Sequence, residues 1–271
     1  MKHLQNLHTH TSYCDGADTP EEIVLAAIDK GFESIGFSGH SYMSCSRMFL
    51  EKGDKTEEYK ENVKSLKEKY KDRIKIYLGL EVEVLSAPDM NGYDYLIGSA
   101  HYFSINGGYV GFDRSAEEVK SVIDNYFNGN GMEYAKAYYK TLAELPEYGN
   151  FDIIGHFDLI TKHSDNVMFF DEDSDEYKKA ALEAAHALKG KIPFFEVNTG
   201  AIARGYRKTP YPSMYILKEL KNLGFGAVIS SDCHNKAMLD CNFNEAVEML
   251  RECGFKEKYI LTDSGFSAVA L

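Results

Sequence analysis

His8 and His10 form an HxH pair at the end of a short apolar run. Residues two apart on a strand point to the same side, so both imidazoles can reach one ion. Four more histidines stand in the same relation to such a run: His40 after SIGFSG, His101 after LIGSA, His156 after DIIG and His234 after VISSDC. Acids keep step with them, since Glu81 ends IYLGLE and Asp232 lies two residues before His234. Crowded imidazoles repel one another when protonated, and divalent cations resolve this because neutral imidazole and carboxylate are their natural ligands. A single strand-end histidine is more often a hydrogen-bonded structural residue than a ligand. Six in succession, with acids in step, point to metal chemistry.

Other residues of reactive type read as structure. His3, His163 and His186 lack the strand-end context. Cys14 and Cys233 lie beside candidate ligands but read as small packing residues, not catalytic thiols. There is no GxSxG elbow of a serine hydrolase, and NGNG at 128–131 is turn chemistry.

The elements that must position these residues alternate between short apolar runs and longer helical patterns. Strands are expected over His3–Leu7, Ser34–Ser38, Ile74–Val84, Tyr93–Ser99, Asp152–Gly155, Pro193–Asn198, Ala227–Ser231 and Tyr259–Leu261. Between them, Thr19-Pro20-Glu21-Glu22 reads as a capping box with proline in the first turn, opening a helix that stops at Gly31. Further helices are expected over Thr56–Lys71, Ser115–Tyr126, Met132–Leu145, Asp175–Leu188, Tyr211–Leu223 and Asn244–Glu252. Ser41–Thr56 reads as a loop near the histidines. Such alternation implies parallel strands with helical crossovers, and an α/β barrel collects the carboxyl ends of all its strands on one face. No linker, internal repeat or low-complexity tract divides the chain, so a single domain over 1–271 is expected.

Composition narrows the functions. The formal charge of -12 opposes broad nucleic-acid binding, which needs lysine and arginine to replace counterions. The same charge would repel a phosphate substrate unless bound cations reversed it locally. Five cysteines with no CxxC pair fit a reduced, cytoplasmic setting, and no segment approaches the roughly 20 apolar residues of a membrane helix. The expected partner is a small molecule, with neither nucleic acid nor membrane; the number of chains in the assembly is left open.

At these residues the sequence resembles the PHP (polymerase and histidinol phosphatase) family. His8-Thr9-His10 with Asp15-Gly16, Gly39-His40-Ser41, Gly79-Leu80-Glu81, Ser99-Ala100-His101, Gly155-His156-Phe157-Asp158 and Ser231-Asp232-Cys233-His234 are similar to its successive motifs. The resemblance runs from the first strand to about residue 235. It implies an α/β fold, a distorted (β/α)7 TIM-like barrel holding two or three divalent ions such as zinc, manganese or iron. Within the family, GHFDLITKH and EVNTGAIARG resemble stretches of the monofunctional histidinol-phosphatases. That implies hydrolysis of L-histidinol phosphate in histidine biosynthesis.

Carried over by position, the resemblance implies that His8, His10, Glu81 and Asp232 hold one ion. Glu81 bridges to a second, held also by His101 and His156, and Asp15, His40 and His234 hold a third. Asp15 stands where some members have histidine, and an aspartate is a competent hard ligand. Glu81 and Asp232 are thereby the expected centre of catalysis, with activated water attacking phosphorus. Arg204 in the NTGAIARG loop is the expected phosphate clamp, since a guanidinium fork fits phosphate oxygens. Lys162 and Arg207 are further candidates. Asp158, two residues beyond His156, is expected to face the same way and orient that imidazole, or else to help protonate the leaving oxygen. Glu83 and Asp113 are candidates for meeting a substrate ammonium.

Three rivals remain at this level. One is a PHP phosphoesterase for a nucleotide or another small phosphomonoester. Another is a non-catalytic metal-binding subunit, which the full ligand set disfavours. A third is a metal-dependent amidohydrolase, which typically carries a lysine ligand at the middle strand where this chain has Glu81.

Overall fold

The structure, a computed structural model, describes residues 3–43, 45 and 54–271. In chain order its elements are β1 (Gln5–Asn6), α1 (Pro20–Asp29), β2 (Ser34–Phe37), α2 (Asp54–Lys69), β3 (Lys75–Glu83), β4 (Tyr95–Ser99), β5 (Tyr102–Ile105) and β6 (Gly108–Gly111). There follow α3 (Ala116–Tyr126), α4 (Gly131–Ala143), α5 (Leu145–Tyr148), β7 (Ile153–Ile154), α6 (Asp175–Leu188), β8 (Phe194–Asn198) and α7 (Gly200–Ala203). The chain ends with α8 (Met214–Leu223), β9 (Gly226–Ser230), α9 (Phe243–Glu252), β10 (Glu257–Thr262) and β11 (Gly265–Ala270).

Seven strands pair in the order β1-β2-β3-β4-β7-β8-β9, every pair parallel. The two edges meet where His10 N–H donates to Cys233 O at 2.8 Å and Cys233 N–H donates to His8 O at 3.0 Å. The result is a nearly closed parallel barrel surrounded by helices, the (β/α)7 architecture expected. The caps form as the sequence implies: Thr19 and Glu22 make a reciprocal box at α1, and Ser115 and Glu118 another at α3.

The strand alternation explains both layers of packing. Along β3, Ile76, Leu78, Leu80 and Val82 face outward and join the large core shared with the helices. Tyr77, Gly79, Glu81 and Glu83 face the barrel interior, so one strand turns from apolar at its base to acidic at its carboxyl end. The base of the interior is filled by Leu7, Tyr77, Tyr95, Ile97, Ile153 and Val228, with Leu261 from outside the barrel. Tyr95 lies across Gly36 and Gly79; a Cβ at Gly79 would meet its ring at 2.3 Å, so no larger residue fits there. Its hydroxyl donates to Leu7 O at 2.5 Å and to Phe37 O at 3.1 Å.

Some expectations shift. Tyr259–Leu261 is not a barrel strand: β10 pairs antiparallel with β11, and this hairpin closes the base of the barrel, where Gln5 bonds both to Leu261 N–H and to Leu261 O at 2.8 Å. A second hairpin, β5–β6, follows His101, with Asn106 and Gly107 both at positive φ in its two-residue turn. Of the expected loop Ser41–Thr56, residues 44 and 46–53 lie outside the described residues.

Candidate metal centre

The carboxyl ends of the strands bring together all nine residues singled out as ligands. Glu81, at the inner face of β3, is the hub. Its Oε2 lies 3.3 Å from His8 Nε2, 3.6 Å from His10 Nε2 and 2.7 Å from His40 Nδ1. Its Oε1 lies 3.0 Å from His156 Nε2 and 3.6 Å from His101 Nε2. Asp232 Oδ1 lies 3.1 Å from His10 Nε2 and 3.7 Å from His8 Nε2. Asp15 closes the other side, within 3.6 Å of His10, His40 and His234. His40 therefore reaches Glu81 as well as Asp15.

Candidate ligand atoms gather into three overlapping groups: His10, Asp15, His40 and His234; His8, His10 and Asp232; and His40, Glu81 and His101. Within each group they lie within 4.8 Å of one another. Among the described residues, His8 Nε2, His10 Nε2, Glu81 Oε2 and His156 Nδ1 are buried and, despite these close contacts, make no hydrogen bond of good geometry. Buried polar atoms are normally satisfied, and a divalent cation would satisfy several of these at once. Imidazole and carboxylate oxygen form the donor set such ions take, so the residues fit.

Without cations, protons carry the balance. Burial alone would favour neutral imidazole at His8, but Glu196, Glu81 and Asp232 outweigh it and hold its pKa well above the ordinary value. Against the same burial effect, Glu81 and Asp15 hold His40 up at about 10. Burial opposes the charge on Glu81 too, yet His8, His40 and His101 keep its pKa well below the carboxylate range. At Asp232, Arg204 and His8 likewise overcome burial. A cation bound here would take the place of protons, so its binding would release them.

The backbone helps to aim these groups. Asp232 sits at φ +45°, in the left-handed region, a strained conformation for a residue with a side chain. Arg204 holds it there, donating to Asp232 O at 2.8 Å and to Asp232 Oδ2 at 2.9 Å.

The candidate phosphate-binding residues divide. Arg204 and Lys162 line an open cleft of about 660 Å³ over the cluster, with Asp113, Arg114, Ser115, Leu159, His163, Tyr102 and Tyr206 on its outer walls. Lys162 Nζ lies 2.5 Å from Asp113 O and 4.7 Å from the centre of the Tyr206 ring. Arg207 is absent from the cleft lining. Its guanidinium donates to Thr161 O at 2.7 Å and faces Asp165 and Glu172, so it braces the loops behind the cleft.

Two expected orientations are corrected. Asp158 does not meet His156: its Oδ2 accepts from Ser213 N–H at 2.8 Å. The strand ends at Ile154, and Asp158 opens a 3₁₀ turn at φ -120°, ψ 40°, so period-two alternation no longer applies. Burial pushes its pKa up to about 6 despite the nearby Arg207. Glu83 is not in the cleft either. It lies buried beneath His101, accepting from the imidazole Nδ1 at 3.0 Å and from the main-chain N–H at 2.8 Å.

Sequence reasoning missed Glu196, which is fully buried at the inner face of β8. It accepts from His8 Nδ1 at 2.9 Å, His156 N–H at 2.7 Å, Asn198 Nδ2 at 2.8 Å and Ser230 Oγ at 2.5 Å. The signal was an acid in the middle of the apolar run PFFEVN. Such carboxylates fix the imidazole so that the opposite nitrogen faces the ion. His163, read as structural, lines the cleft.

Fold and site together define an α/β barrel whose strands present, at their carboxyl ends, a donor set suited to divalent cations. The PHP domain family model matches residues 6–200. The chain belongs to the PHP domain family. It is 27% identical to the "Probable histidinol-phosphatase" of Schizosaccharomyces pombe, over 91% of this chain and 86% of that protein. It is 29% identical to the protein of the same name from Deinococcus radiodurans, over 94% and 95% of the two chains. Its fold superposes with a TM-score of 0.74 on the histidinol phosphate phosphatase of Lactococcus lactis complexed with zinc, L-histidinol and phosphate. That match has 21% identity and covers 98% of this chain and 99% of the other. Among the described residues no helix is long and apolar enough to cross a membrane.

Proposed function

We propose that this protein is a cytoplasmic, divalent-cation-dependent phosphomonoesterase that hydrolyses L-histidinol phosphate to L-histidinol and inorganic phosphate, acting as a single catalytic domain. The observation that carries the proposal is the convergence of five imidazoles on Glu81, with Asp15, Asp232 and His234 completing the cluster and Arg204 and Lys162 on the cleft above. The chain also aligns along nearly its whole length with proteins named for that activity.

His8, His10, Glu81 and Asp232 would hold one ion, Glu81, His101 and His156 a second, and Asp15, His40 and His234 a third. Zinc, manganese and iron all suit these donors. Such ions supply a nucleophilic water at neutral pH and offset charge on the phosphoryl oxygens. The protein's own groups then position the ester. Arg204 stands beside Asp232 with a fork that can donate to phosphate oxygens, and Lys162 adds a second positive charge across the cleft. Both counter the repulsion that the net charge of -12 would exert on an anion.

The test is phosphate release from histidinol phosphate compared with nucleoside monophosphates and sugar phosphates, with elemental analysis of the same preparation. A preference for histidinol phosphate, lost together with bound metal in Glu81→Gln and Asp232→Asn, is expected. Full turnover by Asp232→Asn with unchanged metal content would refute the metal-centred reading, and preference for another ester would refute the substrate.

A further inference from the structure

Three of the four carboxylates lining the cleft, Asp15, Glu81 and Asp232, belong to the ligand cluster. The fourth is Asp113, which the chain reaches just after the β5–β6 hairpin. It lines the same cleft as His101 and His156 of the cluster and Arg204 beside it, so it stands within reach of the reacting end of the cleft. Its present cationic neighbour is Lys162, with Nζ at 3.4 Å from Asp113 Oδ2 and at 2.5 Å from the main-chain Asp113 O.

We propose that Asp113 is the specificity-determining residue that receives the ammonium group of an aminoalkyl phosphate, with Lys162 holding that place until the substrate enters. The inference rests on the proposed function and names how that site recognises its substrate. In histidinol phosphate the ammonium sits on the carbon next to the one bearing the phosphoester oxygen. An acid that meets it must therefore lie close to the groups that grip the phosphate, and Asp113 lies against one of them. The imidazole is farther from the ester and extends away along the cleft. When the phosphate draws Lys162 toward itself, the substrate's ammonium replaces the lysine's, and the half-buried carboxylate is never left without a cation. Lys162 keeps a second anchor in the main-chain oxygen of residue 113, which a substitution of the side chain does not remove.

The experiment compares kcat/KM for histidinol phosphate and for the analogue lacking the amine, 3-(imidazol-4-yl)propyl phosphate, in the native enzyme and in Asp113→Asn and Asp113→Glu. The native enzyme is expected to prefer the amine-bearing ester by at least tenfold. Asp113→Asn should bring that ratio close to one through KM, and Asp113→Glu, which keeps the charge, should retain most of it. An unchanged ratio in Asp113→Asn, or a native ratio near one, overturns the role of Asp113 while leaving histidinol phosphate as substrate. If the native enzyme hydrolyses neither ester, the proposed function itself fails and this inference falls with it. Should Asp113→Asn misfold, loss of the ratio in Asp113→Ser, with a native-like circular dichroism spectrum, decides the matter on the same criteria.

Discussion

Replacing Glu196 by glutamine separates holding the fold together from preparing a ligand. The carboxylate accepts from four donors: His156 N–H and Asn198 Nδ2 on Oε1, Ser230 Oγ on Oε2, and His8 Nδ1, which lies 2.9 Å from Oε2 and 3.1 Å from Oε1. Glutamine keeps one oxygen and presents an NH₂ in place of the other. The oxygen must stay toward His156, whose main-chain N–H cannot become an acceptor. The NH₂ then faces His8 and Ser230, both of which can adapt. The serine hydroxyl rotates to accept, and the imidazole accepts at Nδ1 by moving its proton to Nε2. That nitrogen is the one 3.3 Å from Glu81, and protonated it cannot bind an ion. The fold should therefore lose about 1 kcal/mol, the worth of an ordinary hydrogen bond. Cation affinity should fall by roughly 10–100-fold, the usual consequence of losing a group that orients a ligand. Chelator competition with zinc or manganese reads the affinity, and urea unfolding of the metal-free protein reads the stability. Affinity within twofold of the native protein would show that Glu196 does not set the His8 tautomer. A stability loss on the order of 5 kcal/mol would instead make it a structural support.

Two further substitutions probe the frame of the barrel. Gly79→Ala would drive a methyl group into the Tyr95 ring and break its bonds to Leu7 and Phe37, so unfolding should show a loss of about 3 kcal/mol; a smaller effect than 1 kcal/mol would mean the ring moves aside freely. Lys258 is buried at the base with its ammonium donating to His3 O at 2.9 Å, and burial lowers its pKa from 10.5 to about 8. Between those values the unfolded chain binds more protons than the folded one, so the native protein should gain stability relative to Lys258→Met as pH rises from 8 to 10.5, by up to about 3 kcal/mol. A pH-independent difference in urea midpoints would contradict this.

The barrel and its ligands were legible because they depend on local rules. Apolar runs end in polar residues where strands leave the core, and Thr19 and Ser115 announce helix starts by their reciprocal caps. What escaped depends on contacts between distant strands. Glu196 sits mid-strand with no strand-end signature, and Glu83 was named for the cleft and not for His101; only the inward alternation of Phe194, Glu196 and Asn198, or of Glu81 and Glu83, shows that they face the imidazoles. Asp158 was misread because counting by two assumes an extended backbone, and the chain has already turned there. The Tyr102–Gly111 hairpin was missed because its second strand, GYVG, is short and flanked by glycine.

The gathering of one pocket from positions 8 to 234 has a consequence for biosynthesis. A nascent chain exposes His8 and His10 long before Asp232 and His234 leave the ribosome, so early in translation the growing polypeptide offers only a weak two-imidazole grip to passing ions. Tight capture waits for the final strand to dock against the first at Thr9 and Cys233. Ion loading would thus report completion of the barrel, since a product terminated before residue 232 would lack two of the candidate ligands, Asp232 and His234.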